Sequence, residues 1–205
     1  MKTSHPNSNE RANGSASAFP FAWLAVPLCC AMTSCSTVKD FFSAGDISDP
    51  ATGDDHPAEF EGTMGTLSSP SVLPRPAEVS DIDVKRGKGF DRFIFYFRGY
   101  QVPGYEVKLI EPPILEAGTG QPVEVDGAAF LQVRLTPAQA HDDDDGTPTI
   151  KKPRRELSLP NAVHLVERGD FAGNSIWVIG LNRRAGYRVM ELSRPPRIVV
   201  DVKHR

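Results

Sequence analysis

Cysteine and long hydrophobic runs are both scarce in this 205-residue chain, and each shortage removes a class of protein. The three cysteines, Cys29, Cys30 and Cys35, all fall in the first 35 residues. The rest of the chain can therefore hold neither a disulfide framework nor a cysteine-based metal site. No apolar stretch reaches the roughly 18 residues that a spanning helix requires, so a multi-span membrane protein is excluded. No G-x-y period or heptad run is present, which excludes collagen-like and coiled-coil chains. The G-x-S-x-G, H-E-x-x-H, P-loop and G-x-G-x-x-G patterns are missing as well, so no catalytic set assembles and no cofactor is expected. What is plentiful is turn chemistry: 17 Gly and 18 Pro tilt the expectation toward β-structure. The length suits one ordinary domain with tails.

The N-terminal residues read as an address. Phe19 to Met32 (FPFAWLAVPLCCAM) is an apolar run preceded by a polar stretch carrying Lys2 and Arg11 against Glu10. It is too short to cross a bilayer as a helix and suits the apolar region of a secretory signal. Met32-Thr33-Ser34-Cys35 then places two small residues directly before a cysteine. This resembles the lipobox of bacterial lipoproteins, with Met32 where leucine is more usual. The resemblance implies cleavage after residue 34, lipid on the Cys35 sulfur and an exported protein anchored to the extracytoplasmic face of the membrane. Two or more acyl chains anchor stably where one does not, at about 0.8 kcal/mol per buried methylene.

Residues 36–79 carry two basic side chains, Lys39 and Arg75, against eight acidic ones, with Ser, Thr, Gly and Pro filling most of the rest. No 2.0 or 3.6 period is sustained. Such a segment buries too little apolar surface to offset chain entropy, so 35–79 is expected to be a lipidated cysteine followed by a disordered acidic tether.

Residues 80–205 are expected to form one all-β domain. In Gly89–Phe97, Phe93, Phe95 and Phe97 share one face while Ile94 and Tyr96 take the other, so this strand should be covered on both sides. Tyr105–Ile110 and Ala128–Thr136 alternate, the latter with Leu131, Val133 and Leu135 inward. Ala138–Pro160, with its Asp142–Asp145 run, reads as a long polar surface loop. Four short strands follow at Asn161–Arg168, Ser175–Leu181, Tyr187–Leu192 and Arg197–Lys203. Seven or so strands at this spacing predict a small two-sheet β-sandwich or a half-open barrel.

GFDRFIFYF, VPGYEVKLI, FLQVRL and the closing YRVMELSRPPRIVVDV resemble the AMIN-like domain of bacterial envelope proteins. The likeness lies in hydrophobic pattern and turns and covers most of residues 80–205. It implies a small two-sheet domain that serves as an envelope localisation module.

Several constellations compete for function. The aspartates at 142–145 do not fit an EF-hand, because His141 and Lys152 occupy the positions where Asp and Glu are needed when Gly146 is aligned, so a solvated acidic tip is expected and no metal. Trp177 shares the apolar face of Ile179 and Leu181 and belongs to the core, whereas Tyr100 and Tyr105 flank a turn and are expected to be exposed. His164 lies opposite the face of Val163 and Leu165. From residue 151 onward twelve Lys or Arg stand against five Asp or Glu, and Arg183, Arg184, Arg188, Arg194 and Arg197 concentrate at the last two turns. Arginine grips carboxylate or phosphate with two hydrogen bonds, so peptidoglycan or another anionic cell-wall polymer is one expected partner. The bland alternative is an ordinary solvated surface, since in a meander those two turns lie at opposite ends. Nucleic acid is not expected outside the cytoplasm. The overall expectation is a lipid-anchored, non-catalytic envelope binding or localisation module. The alternative is a structural subunit that docks on an envelope protein complex through a sheet edge or the C-terminal hairpin.

Overall fold

The computed structural model of the protein describes residues 62–205. The expected signal, Cys35 and residues 36–61 of the acidic segment lie outside the described residues. Among the described residues the chain forms eleven strands and no helix. They are β1 (Leu67–Ser69), β2 (Ala77–Arg86), β3 (Phe90–Phe97), β4 (Gly104–Ile110), β5 (Ala129–Thr136) and β6 (Ala138–Gln139). The remainder are β7 (Arg154–Glu156), β8 (Ala162–Phe171), β9 (Asn174–Leu181), β10 (Tyr187–Ser193) and β11 (Pro196–Lys203).

Six strands form a large sheet in the order β1-β4-β5-β9-β8-β7, and five form a smaller one in the order β10-β11-β3-β2-β6. Every pairing is antiparallel except the short contact of β2 with β6. The sheets are not closed into a barrel, so the expected two-sheet sandwich is what the chain adopts. Period-2 alternation is the cause. Phe93, Phe95 and Phe97 of β3 and Ile198, Val200 and Val202 of β11 line one inner face. Leu131, Val133 and Leu135 of β5, with Trp177, Ile179 and Leu181 of β9, line the other. Trp177 is fully buried, 6.3 Å from the Phe95 ring centroid, and its indole N–H donates to Ser175 Oγ at 2.9 Å. The expected second face of β3 is also found: Ile94 and Val199 are buried with Tyr96, Met190 and Leu192 packed beside them.

Polar ties cross between the layers. The Asp91 carboxylate on β3 accepts from the backbone N–H of Asn161 and Ala162 at the start of β8, both at 2.8 Å. Arg155 on β7 donates to the Ile82 carbonyl on β2 at 2.6 Å. Beyond Pro137 the chain leaves the large sheet, and β6 joins the small one.

Two expectations are corrected. The domain does not begin at residue 80: β1 and the first three residues of β2 fall within the stretch read as tether. Thr63 and Tyr187 also exchange both backbone hydrogen bonds, each at 2.9 Å. The pattern of β2 was hidden by a bulge between Val79 and Asp81, which breaks the alternation of Ala77 and Val79 from that of Ile82 and Val84. Nor is Ala138–Pro160 simply a surface loop. It contains β6 and β7 and sends Ala138, Ala140 and Ile150 into the core, while Asp143–Pro148 and Lys151–Arg154 are exposed.

The outer face of the large sheet is covered by the chain's own residues 111–127, which join β4 to β5. Ala117 N–H donates to the Arg168 carbonyl at 2.9 Å, and Arg168 donates to the Leu115 carbonyl and the Gln132 side chain. Beneath this crossing, Val178, Val166 and Gln132 are buried despite pointing away from the main core. Gly180 permits the approach: a Cβ there would stand 1.8 Å from the Asp126 carbonyl oxygen.

Candidate functional site

The five arginines singled out from the sequence are distributed, not gathered. Arg183 and Arg184 sit in the β9–β10 connection, and Arg194 lies at the other end of β10 in the hairpin turn. Seven residues of strand put those ends roughly 20 Å apart. Arg183 donates to the carbonyl of His204, and Arg184 pairs with Glu111 at 2.8 Å where both side chains are largely exposed. Arg188 and Arg197 project from the outer face of the small sheet into local structure. Arg197 is 2% exposed and donates to the Pro195 carbonyl at 2.8 Å. Arg188 donates to Asp201, which also accepts from Arg92 at 2.7 and 2.9 Å. These three charges lie in one register row, with the Arg92 and Arg188 guanidiniums 4.8 and 5.5 Å from the Phe90 ring.

The tyrosines divide as well. Tyr100 is 94% exposed beside Arg75 and Arg98. Tyr105, expected to be its exposed neighbour, is instead partly buried against the main core. Burial raises its hydroxyl pKa, with Glu191 adding to the effect. The reason is register: Tyr105 pairs with Leu135 and therefore shares the inward phase of β5.

The histidines reach three different settings. His164 is 2% exposed beneath residues 111–127, and its Nδ1 accepts the Asp126 N–H at 3.0 Å. His204 lies 2.8 Å from the buried Asp91 carboxylate. His141 opens the acidic loop, and its Nδ1 lies 2.5 Å from Asp170 Oδ2. That same carboxylate accepts the Ala140 N–H at 2.9 Å. The loop is pinned from its other side too, Asp142 by Arg98 and Asp143 by Gln139.

Pinning this loop creates a cleft that sequence reading missed. Residues 111–127, the acidic loop, the start of β7 and the end of β8 surround a volume of about 850 Å³. Glu116, Glu124, His141, Arg154, Glu167 and Asp170 supply its polar lining, with Val123, Pro148 and Val166 between them. Arg154 is partly occupied, donating to the Glu124 carbonyl at 2.7 Å. Glu167 differs from the rest, because its carboxylate makes no hydrogen bond or ion pair with any described residue. Burial first, and then the neighbouring Asp170 charge, push its pKa from 4.5 up to about 7, with His141 opposing. No motif announces this site, since its parts come from four separated stretches of chain. The one local hint was His141 standing before an acidic run. Among the described residues, no three His, Cys, Asp or Glu groups are placed to hold a metal ion.

Residues 77–204, more than half of the chain, match the family model described as the AMIN-like domain. No curated protein and no solved structure matches the chain.

Proposed function

Because the chain belongs to the AMIN-like domain family, we propose that it is an exported, lipid-anchored protein whose domain binds a component of the bacterial cell envelope and does not catalyse a reaction. The carrying observation is the family match across residues 77–204, which hold β2 to β11. The Met32-Thr33-Ser34-Cys35 sequence after an apolar run supports the anchor. Arg194, and Arg184 with its solvent-exposed partner Glu111, sit at the two ends of β10 where an anionic wall polymer can reach them from outside.

Two experiments test this. Mass spectrometry of the N-terminal peptide should find acyl chains on Cys35. Cys35→Ala should move the protein from the membrane to the soluble fraction; an unmodified Cys35 would remove the anchor. Full chain in mild detergent should co-sediment with purified sacculi at low salt, less so at physiological salt, and not with anionic vesicles lacking wall. Reversing Arg184 and Arg194 to glutamate should weaken the wall interaction severalfold. No sedimentation with sacculi at low salt would overturn polymer binding.

A second reading, docking on an envelope protein, is favoured by one observation. β10 ends the order of the small sheet, and on its outer edge the described pairing stops at the Thr63–Tyr187 bridge. The backbone from Val189 to Ser193 is left as a template for a partner strand. A stoichiometric protein recovered in a mild-detergent pull-down, and lost on Glu191→Pro, is the result this reading requires.

A further inference from the structure

The cleft at the end of β8 has the size of an organic ligand site and the charge of a cation site. About 850 Å³ is far more than one ion needs, and it falls within the range of pockets that take small molecules. Its wall combines short aliphatic surfaces with converging polar groups, the usual composition of such pockets.

Its charge balance is uneven. Four carboxylates, Glu116, Glu124, Glu167 and Asp170, face one guanidinium and one imidazole. The imidazole and the guanidinium are already engaged: His141 lies against Asp170, and Arg154 reaches the Glu124 carbonyl. Glu116 accepts from the Thr119 hydroxyl. Glu167 lines the cleft at the edge of β8, on the opposite face of the strand from Val166, half-buried and with no described partner. A half-buried carboxylate keeps only part of its hydration, and a donor arriving with positive charge offsets that loss. The volume and the aliphatic parts of the wall suit an organic cation better than a lone ion.

We propose that this cleft binds a ligand bearing a primary ammonium group, with Glu167 and Asp170 accepting its N–H bonds and Val123, Pro148 and Val166 packing on the carbon chain that carries it. Two sources share this chemistry, an amine on a peptide side chain and an amine on a sugar. The inference is independent of the arginines considered for wall polymer, which lie on other strands and turns.

The test is calorimetric titration of the full chain with Nα-acetyl-lysine methylamide and, separately, with glucosamine, each against its N-acetylated counterpart. At least one amine should bind saturably, and its acetylated form should bind at least about tenfold more weakly, the scale of one charge-assisted hydrogen bond. The better of the two amines identifies the source. Glu167→Gln should weaken that amine about tenfold while the thermal melt stays cooperative, because the native side chain has no described partner to lose. Glu124→Gln, on the facing wall, is the second variant should Glu167→Gln fail to fold, and it should weaken binding severalfold. Amide resonances of Gly169 and Ala140 should shift on titration. Equal binding of amine and acetylated control would overturn the proposal. So would no saturation by either amine into the millimolar range, or unchanged affinity in both variants.

Discussion

Two sets of shielded carboxylates sit in this sandwich and have opposite surroundings. On the small sheet, Asp91 and Asp201 are 0% exposed, and each is saturated with donors. Asp201 takes Arg92 and Arg188, while Asp91 takes two backbone N–H groups and lies against His204. At the end of β8, Asp170 shares one oxygen between Ala140 N–H and His141, and Glu167 has no described partner. Burial alone therefore does not mark a functional acid here. What separates the two sets is whether the fold itself supplies the donors. The saturated pair acts as rivets, and the unsaturated pair faces a cleft.

The sharpest way to break this contrast is Asp201→Ala. It strands two shielded guanidiniums and should cost about 3–5 kcal/mol of stability in urea denaturation of the full chain. A loss under about 1 kcal/mol would mean the row is not structural. Asp91→Asn keeps an acceptor but removes the charge and should cost about 1–3 kcal/mol by the same measurement.

Glu167→Gln should act with the opposite sign. Its carboxyl is held near 7 in the native state against 4.5 unfolded, so between those values the native state retains a proton that the unfolded chain releases. Native stability then falls as pH rises through that window. Discounted for solvent screening, the variant should be more stable by roughly 1 kcal/mol at about pH 8 and equal to wild type at about pH 4. A variant with the same pH slope as wild type would mean that the fold does not disfavour the Glu167 carboxylate. The smallest effect belongs to Glu111→Ala, whose pair with Arg184 is exposed on both sides. It should stay within about 0.5 kcal/mol.

The sequence disclosed the regular strands and hid the irregular ones. β3, β5, β9 and β11 are legible because apolar side chains alternate without interruption, and Trp177 falls in phase with them. β2 was obscured by its bulge and by the alternation of Asp81, Asp83 and Lys85 on its outer side, which reads as solvated linker. β1, β6 and β7 are two or three residues long and hold position through their neighbours, not through a pattern of their own. Tyr105 was misread because turn proximity suggested exposure, while its ladder partner Leu135 decided its face. The cleft was invisible for a different reason. It depends on residues 111–127 folding back over the sheet, an event governed by close approach at Gly180 and Gly169 and not by any local preference. Glycines there look like ordinary turn formers until the chain passing over them is known.

The Thr63–Tyr187 bridge has a mechanical meaning. The N-terminal strand segment leaves the edge of the small sheet at Thr63, crosses to the large sheet and pairs there as β1 with β4. The Tyr187 hydroxyl lies within reach of both the Gly65 and Val107 carbonyls along that crossing. Tension arriving from the N-terminal side therefore does not pull on either inner layer directly. It meets two hydrogen bonds at Thr63, then a buried phenol, then three residues of ladder. Single-molecule pulling on the full chain from its N-terminal side is expected to open this clasp before β3, β5, β9 and β11 separate.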